Sequence, residues 1–160
     1  MELIAGGDVL VGVIIGAGIL VGLIVIFAVV PRLVLSGMKP SLARRIGRRY
    51  SSDQIVLKDL AALTFGLESR GVLQGRGNGA LVLTAKELWW SRFVSGSDLC
   101  IPRSRITKVD TVKVHLGKTY GRDLLRVTFL NDGKPDSMAW YVTDLGVWLS
   151  KLGEPDTTAP

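Results

Sequence analysis

An uninterrupted run without a charged side chain, Val9 to Val30, constrains this chain more than any other feature. As a helix rising about 1.5 Å per residue, its 22 residues reach about 33 Å, enough to cross a hydrocarbon layer of about 30 Å. Within lipid a helix satisfies its own backbone groups, which an open strand cannot do. Pro31 lacks a backbone donor and marks a natural end. The sequence therefore predicts a transmembrane helix over residues 9–30, preceded by a short extracytoplasmic N-terminus, 1–8. A cleaved signal peptide fits less well. The leading residues carry Glu2 and Asp8 and no base, and Phe27-Ala28-Val29-Val30-Pro31 offers no small-x-small cleavage pattern. The run also exceeds the apolar stretch of about 7–15 residues usual in such peptides.

The formal net charge of +6 is unevenly placed. Residues 31–52 hold six bases (Arg32, Lys39, Arg44, Arg45, Arg48, Arg49) and no acid. Bases confined to one flank place that flank in the cytoplasm, so the single-pass orientation is N-terminus out. A basic block beside an apolar helix points to anionic lipid headgroups, not to nucleic acid. Leu42, Ile46 and Tyr50 recur at i, i+4, i+8, which predicts a short amphipathic helix in the headgroup region. Arg44, Arg45, Arg48 and Arg49 are then its surface contacts, unless they serve only to fix topology. Next, Ser51-Ser52-Asp53-Gln54 matches a capping box. Ile55, Val56, Leu60, Leu63 and Thr64 follow at rough helical spacing, predicting a second helix to about Thr64. Residues 31–66 thus read as a basic juxtamembrane linker with helical segments.

Within the apolar run, Gly12/Gly16 and Gly18/Gly22 form two small-xxx-small pairs on different faces. Such pairs permit close helix packing. They supply the alternative reading, a scaffold subunit of a membrane complex or a homo-oligomer held by this helix.

From Gly71 onward the pattern becomes strand-like, with turn residues at short intervals. Val72-Leu73-Gln74 leads into the Gly-rich turn Gly75 to Gly79. Strands are expected over Ala80–Thr84, Glu87–Val94, Asp98–Pro102, Ile106–Leu116, Leu124–Leu130 and Met138–Val142, with a turn at Ser95-Gly96-Ser97. Asp144 then caps a helix whose Leu145, Trp148, Leu149 and Leu152 fall at i, i+3, i+4, i+7, ending at Gly153. The expected class is a membrane-anchored α+β chain. A mainly β, barrel-like domain of about seven strands with a C-terminal helix occupies 67–153, and a disordered tail 154–160.

The order of Gly79 to Trp90 (GALVLTAKELWW), Ile101 to Val109 (IPRSRITKV), Leu124 to Phe129 (LLRVTF) and Asp144 to Leu152 (DLGVWLSKL) resembles the pleckstrin-homology-like superfamily, its bacterial PH-like and GRAM-type members above all. The resemblance covers about half the chain, from Leu67 to Gly153. It implies that Leu88 and Trp90 point inward and that Trp148 plugs the barrel. It also implies a binding module and not an enzyme. Phosphoinositide-binding members carry several bases around the first strand and loop. Here Gly71 to Gly79 has only Arg76, so no headgroup residues carry over.

No catalytic set emerges. His115 is the single histidine and is expected on the solvent side of a strand; Asp110 and Asp123 lie near it in sequence. Neither a second His nor a Cys pair exists to complete a metal site, and Gly75 to Gly79 lacks the Lys-Ser/Thr of a P-loop. No enzyme activity, metal or cofactor is expected. Cys100, the lone cysteine, is expected as a small buried hydrophobe. Two surface features remain. Arg103, Arg105 and Lys108, with Lys113, Lys118 and Arg122, offer a basic face for an anionic membrane or acidic partner. Trp89 faces opposite Trp90, either covered by the segment Ser51 to Thr64 or exposed to a partner peptide or lipid. The sequence thus predicts a tethered module that recognises a protein partner or an anionic lipid surface.

Overall fold

A computed structural model describes residues 5–29, 41–93 and 98–153. The first four residues, Val30 at the end of the apolar run, the linker 31–40 with Arg32 and Lys39, Val94 with the Ser95-Gly96-Ser97 turn, and the tail 154–160 lie outside the described residues. The chain divides into two compact units, 1–40 and 41–160.

In the first unit, helix α1 (Ala5–Ile24) continues through one π-helical turn, Val25–Val29. Its window Val11–Ala28 has a mean hydropathy of 2.9, and none of it is buried. By length and composition α1 is apolar enough to cross a membrane.

The second unit opens with α2 (41–49). Seven antiparallel strands follow: β1 (Ile55–Leu67), β2 (Gly77–Thr84), β3 (Glu87–Arg92), β4 (Leu99–Pro102), β5 (Ile106–Val112), β6 (Leu124–Asn131) and β7 (Lys134–Tyr141). They form one sheet in the order β4-β3-β2-β1-β7-β6-β5, and α3 (Leu145–Gly153) ends the unit. One face of the sheet curls around a single core. Leu81, Leu83, Leu88, Trp90, Ile101 and Trp140 bring it together from both halves, and α3 drives Trp148 and Leu152 into it. The inward Leu88 and Trp90 and the plugging Trp148 stand where they were expected.

β1 corrects the reading of residues 55–64 as a helix. The Ser51/Gln54 box does form, with the Ser51 N–H donating to Gln54 Oε1 at 3.1 Å, but it closes only one 3₁₀ turn, Ser52–Gln54. Extended pairing with β2 on one side and β7 on the other then takes over. A capping box fixes the first turn alone, and a strand that supplies both neighbours of a central sheet outweighs it. The folded unit therefore begins at Ser41, and 41–66 belong to it and not to a linker. Register shifts along β1 let the strand bend between its two partners. At one of them Asp59 is buried, accepting from Ala61 N at 2.8 Å and Thr143 N at 2.6 Å.

Other boundaries also shift. β7 starts at Lys134, because Asp132 and Gly133 both take positive φ (50° and 77°) and close a two-residue hairpin turn. β5 stops at Val112, and its continuation leaves the sheet as a loop. Gly79 is where close approach demands glycine: a Cβ there would stand 2.2 Å from the Ser91 carbonyl.

Candidate functional site

The strongest departure from ordinary surface chemistry lies in the β1–β2 connection. Beyond β1 the chain makes a 3₁₀ turn, Glu68–Arg70, and Gly71 (φ 75°) redirects it. Val72 and Leu73 form the tip, 60% and 97% exposed, with Arg70 and Arg76 on either side in sequence. A singly exposed Leu is common on proteins; an adjacent Val and Leu exposed together at the tip of a pinned turn between arginines form a contiguous apolar point.

The turn is held from two directions. Gln74 clips its base: Leu67 N–H donates to Gln74 Oε1 at 3.1 Å, and Gln74 Nε2 donates to Leu67 O at 2.6 Å and Gly71 O at 2.7 Å. Asp136 of β7 grips its side, accepting from Ser69 N at 3.0 Å and Ser69 Oγ at 2.6 Å. Burial pushes the Asp136 carboxyl up. The hydrogen bonds from Ser69, Asn131 and Ser137 outweigh that and hold it below the usual carboxylate range. Ser137 Oγ–H in turn donates to Glu68. The tip is thus exposed by construction, because its backbone is anchored on both flanks.

Beside the base of this turn lies a partly open cavity of about 200 Å³. Trp90, Leu67, Leu99 and Met138 give it apolar walls; Arg70, Gln74, Arg92 and Asp98 supply its polar groups. Arg92 lies across the glycine turn, donating to Gly75 O at 2.7 Å, in space that a Cβ on Gly77 would occupy.

The residues singled out from the sequence are distributed differently. On α2, Arg44 and Arg48 are exposed. Arg45 turns to the sheet, donating to Arg92 O at 3.1 Å and lying 3.6 Å from Asp98. Arg49 reaches Glu87 Oε1 at 3.2 Å, Tyr50 Oη at 2.8 Å and Cys100 Sγ at 3.1 Å. Trp89 is 1% exposed. Its cover is α2, through Leu42 and Ile46, with Tyr50, Ile55 and Leu60 alongside; the segment 51–64 is only part of it. As a partner contact, Trp89 is unavailable while α2 is seated.

Arg103 donates to the Lys151 carbonyl at 3.2 Å, near the C-terminus of α3. Lys108 lies 2.9 Å from Asp110, which also receives two bonds from Arg126 at 2.8 and 2.6 Å. Arg126 foremost, then Lys108, hold Asp110 down at about 2 against the opposing pull of burial. Lys118 donates to Phe65 O at 3.4 Å, while Arg105, Lys113 and Arg122 are exposed. Three of the six bases are therefore engaged within the unit. Gly12, Gly16, Gly18 and Gly22 lie on α1 with open space beside each.

Two side chains stand opposite to expectation. His115 is only 6% exposed, its Nε2 3.1 Å from Gly66 O, because the chain after Val112 turns back under the β1 bend. Cys100 is exposed, since β4 is an edge strand and its side chain lies on the outer face. Burial of the thiol nonetheless pushes its pKa up, which leaves it no activated nucleophile. Among the described residues no three His, Cys, Asp or Glu side chains gather at metal-binding spacing.

The sequence places Val72-Leu73-Gln74 only as the lead into the Gly-rich turn Gly75 to Gly79, and the exposed apolar tip is a finding of the structure. Its signal was present: an apolar pair confined between Gly71 and Gly75, where a strand has no room.

No family model matches the chain, and no curated protein matches it. Among solved structures, a chain of "The 8S snRNP Assembly Intermediate" is similar, with 12% identity and a TM-score of 0.49, over 69% of this chain and 91% of that one. A likeness of that size carries no argument about what this chain does.

Proposed function

We propose that this is a single-pass membrane protein, N-terminus out, whose α1 anchors a cytoplasmic PH-like module that docks on an anionic bilayer surface through the Val72-Leu73 tip. The observation that carries the reading is the exposed apolar pair, with its backbone pinned by Gln74 and Asp136 and arginines on both sides. Burying one leucine in the acyl boundary contributes about 1.5–3 kcal/mol. Each arginine near an anionic surface adds about 1 kcal/mol. Together with Arg70 and Arg76 this reaches about 3.5–5 kcal/mol, an affinity around millimolar in free solution. Such an affinity suffices for a module that its own anchor keeps at high local lipid concentration.

The test is vesicle flotation of the fragment Ser41 to Pro160, which takes in α2 as well as the sheet. Binding is expected to require anionic lipid and to fall at least about tenfold in Leu73→Glu. Equal flotation of the variant, or flotation indifferent to lipid charge, would overturn the reading.

A further inference from the structure

The free edge of the sheet carries a further inference, which rests on α1 as the anchor but not on the docking tip. β5 stands last in the strand order, and among the described strands only β6 pairs with it. Its other side presents the unpaired N–H and C=O groups of an edge strand. Along β5, Thr107, Lys108 and Thr111 are exposed, and Val109 and Asp110 are half-buried. Lys108 and Asp110 share the outer face, 2.9 Å apart, and Arg126 of β6 meets Asp110 from the other side at 2.6 Å. Val109 turns to the inner face, paired with Val127. Outward from Val109, the segment Thr107-Lys108-Val109-Asp110-Thr111 is its own complement: Lys answers Asp, and Thr answers Thr.

We propose that β5 pairs antiparallel with β5 of a second copy of this chain, about a twofold axis through Val109. In that register Lys108 lies opposite Asp110 of the second copy, twice by symmetry, and Thr107 lies opposite Thr111. Arg126, Asp110 and Lys108 of the second copy then form a row of alternating sign across three strands. Centring the pair on Lys108 or on Asp110 sets like charges face to face, as in-register parallel pairing does. A shift by one residue puts Lys108 against the wrong face. Charges on an edge repel a foreign strand; these two admit their own copy in one register. The bulge between Ile106 and Lys108 bends the strand and limits the pairing to Thr107–Thr111. So short a contact falls below the roughly 1,000 Å² of a stable free dimer. It forms between copies that α1 holds in one bilayer at high local concentration.

The experiment makes two tagged forms of the full chain in membranes, Thr107→Cys and Thr111→Cys, singly and together. Both carry Cys100→Ser, which removes the native thiol, and both sites are exposed. A short thiol-reactive cross-linker is then added. In the paired strands Thr107 stands about 5 Å from Thr111 of the second copy, but about 13 Å along the strands from the second copy's own Thr107. The mixed preparation is expected to give at least about tenfold more cross-linked dimer than either form alone. Lys108→Glu, added to both forms, sets Glu opposite Asp110 twice and should lower that yield at least about fivefold. Lys134→Glu, on the β6–β7 turn, should leave it unchanged. Equal yields in the three preparations, or no dimer in any, overturn the proposal. So does a mixed yield that Lys108→Glu leaves intact, or that Lys134→Glu lowers as much. If Lys108→Glu does not fold, the three preparations decide alone. An anchored chain with equal yields removes the dimer and leaves the docking tip standing. A chain recovered outside the membrane fraction overturns the anchor and this proposal with it.

Discussion

α2 and α3 each lay two apolar side chains, one turn apart, on the same sheet, yet they are held by different physics. α3 puts Trp148 and Leu152 into the enclosed inner face, where residues from both halves of the sheet surround them. α2 puts Leu42 and Ile46 on the outer face, over a smaller cluster, and adds arginine ties at its rim. The inner face has one filling, and the curl of the sheet depends on it. The outer face has a cover, and the sheet beneath is already paired strand to strand. An i, i+4 apolar stripe therefore does not say whether a helix completes a fold or merely rests on it; what it rests on decides.

The largest test of that contrast is Trp148→Ala. Removing a buried aromatic plug is expected to cost about 3–5 kcal/mol, read as a lowered midpoint in urea unfolding of residues 41–160. Leu42→Ala removes an equally buried side chain. In a cooperative core it would cost about 2–5 kcal/mol. A helix able to undock locally limits the loss to its own docking energy, so about 1–2 kcal/mol is expected in global stability, with faster amide exchange confined to 42–50. A Leu42→Ala loss matching that of Trp148→Ala would break the contrast.

The inner face was largely legible in the sequence, the outer face was not. Trp148 and Leu152 lie on a strong helical stripe that identified the buried side of α3; the inward side of Leu88 and Trp90 followed from the resemblance, since Leu88-Trp89-Trp90 is apolar at every position. Residues 55–64 failed because local and long-range signals conflict there. The capping box at Ser51 favours a helix, whereas β1 is made by partners far away in sequence, Leu81 to Thr84 and Met138 to Tyr141. The seat of α2 on β2 and β3 was not foreseen, because the Leu42/Ile46 stripe beside a basic block reads equally well as an interfacial helix. His115 failed for a related reason. Alternation continued past Val112 in the sequence, but the strand did not, and the loop carried His115 inward.

That loop is a third cover, and its tie titrates. Tyr120 packs edge-on against buried Phe65, 6.4 Å between ring centres, while His115 meets Gly66 O at 3.1 Å. Burial dominates and lowers the His115 pKa below its ordinary value. The Gly66 carbonyl and Glu68 pull it up; Arg126 and Lys118 push it further down. The unfolded chain thus takes up the proton more readily than the folded one. Stability is full above about pH 6.5 and is lost as pH falls through the lower folded value. Asp136 and Asp110, both depressed, contribute above the ordinary carboxylate range and lose their share only in stronger acid, so the window from about pH 6.5 to 5 belongs to His115. His115→Gln keeps a side-chain N–H for Gly66 O and is expected to cost less than about 1 kcal/mol at pH 8. It should flatten the dependence of the urea midpoint between about pH 7 and 5. A slope that persists in the variant would remove His115 as its source. If the slope flattens, the three covers are distinguished by what loosens them: nothing short of unfolding for α3, local undocking for α2, and mild acid for the loop.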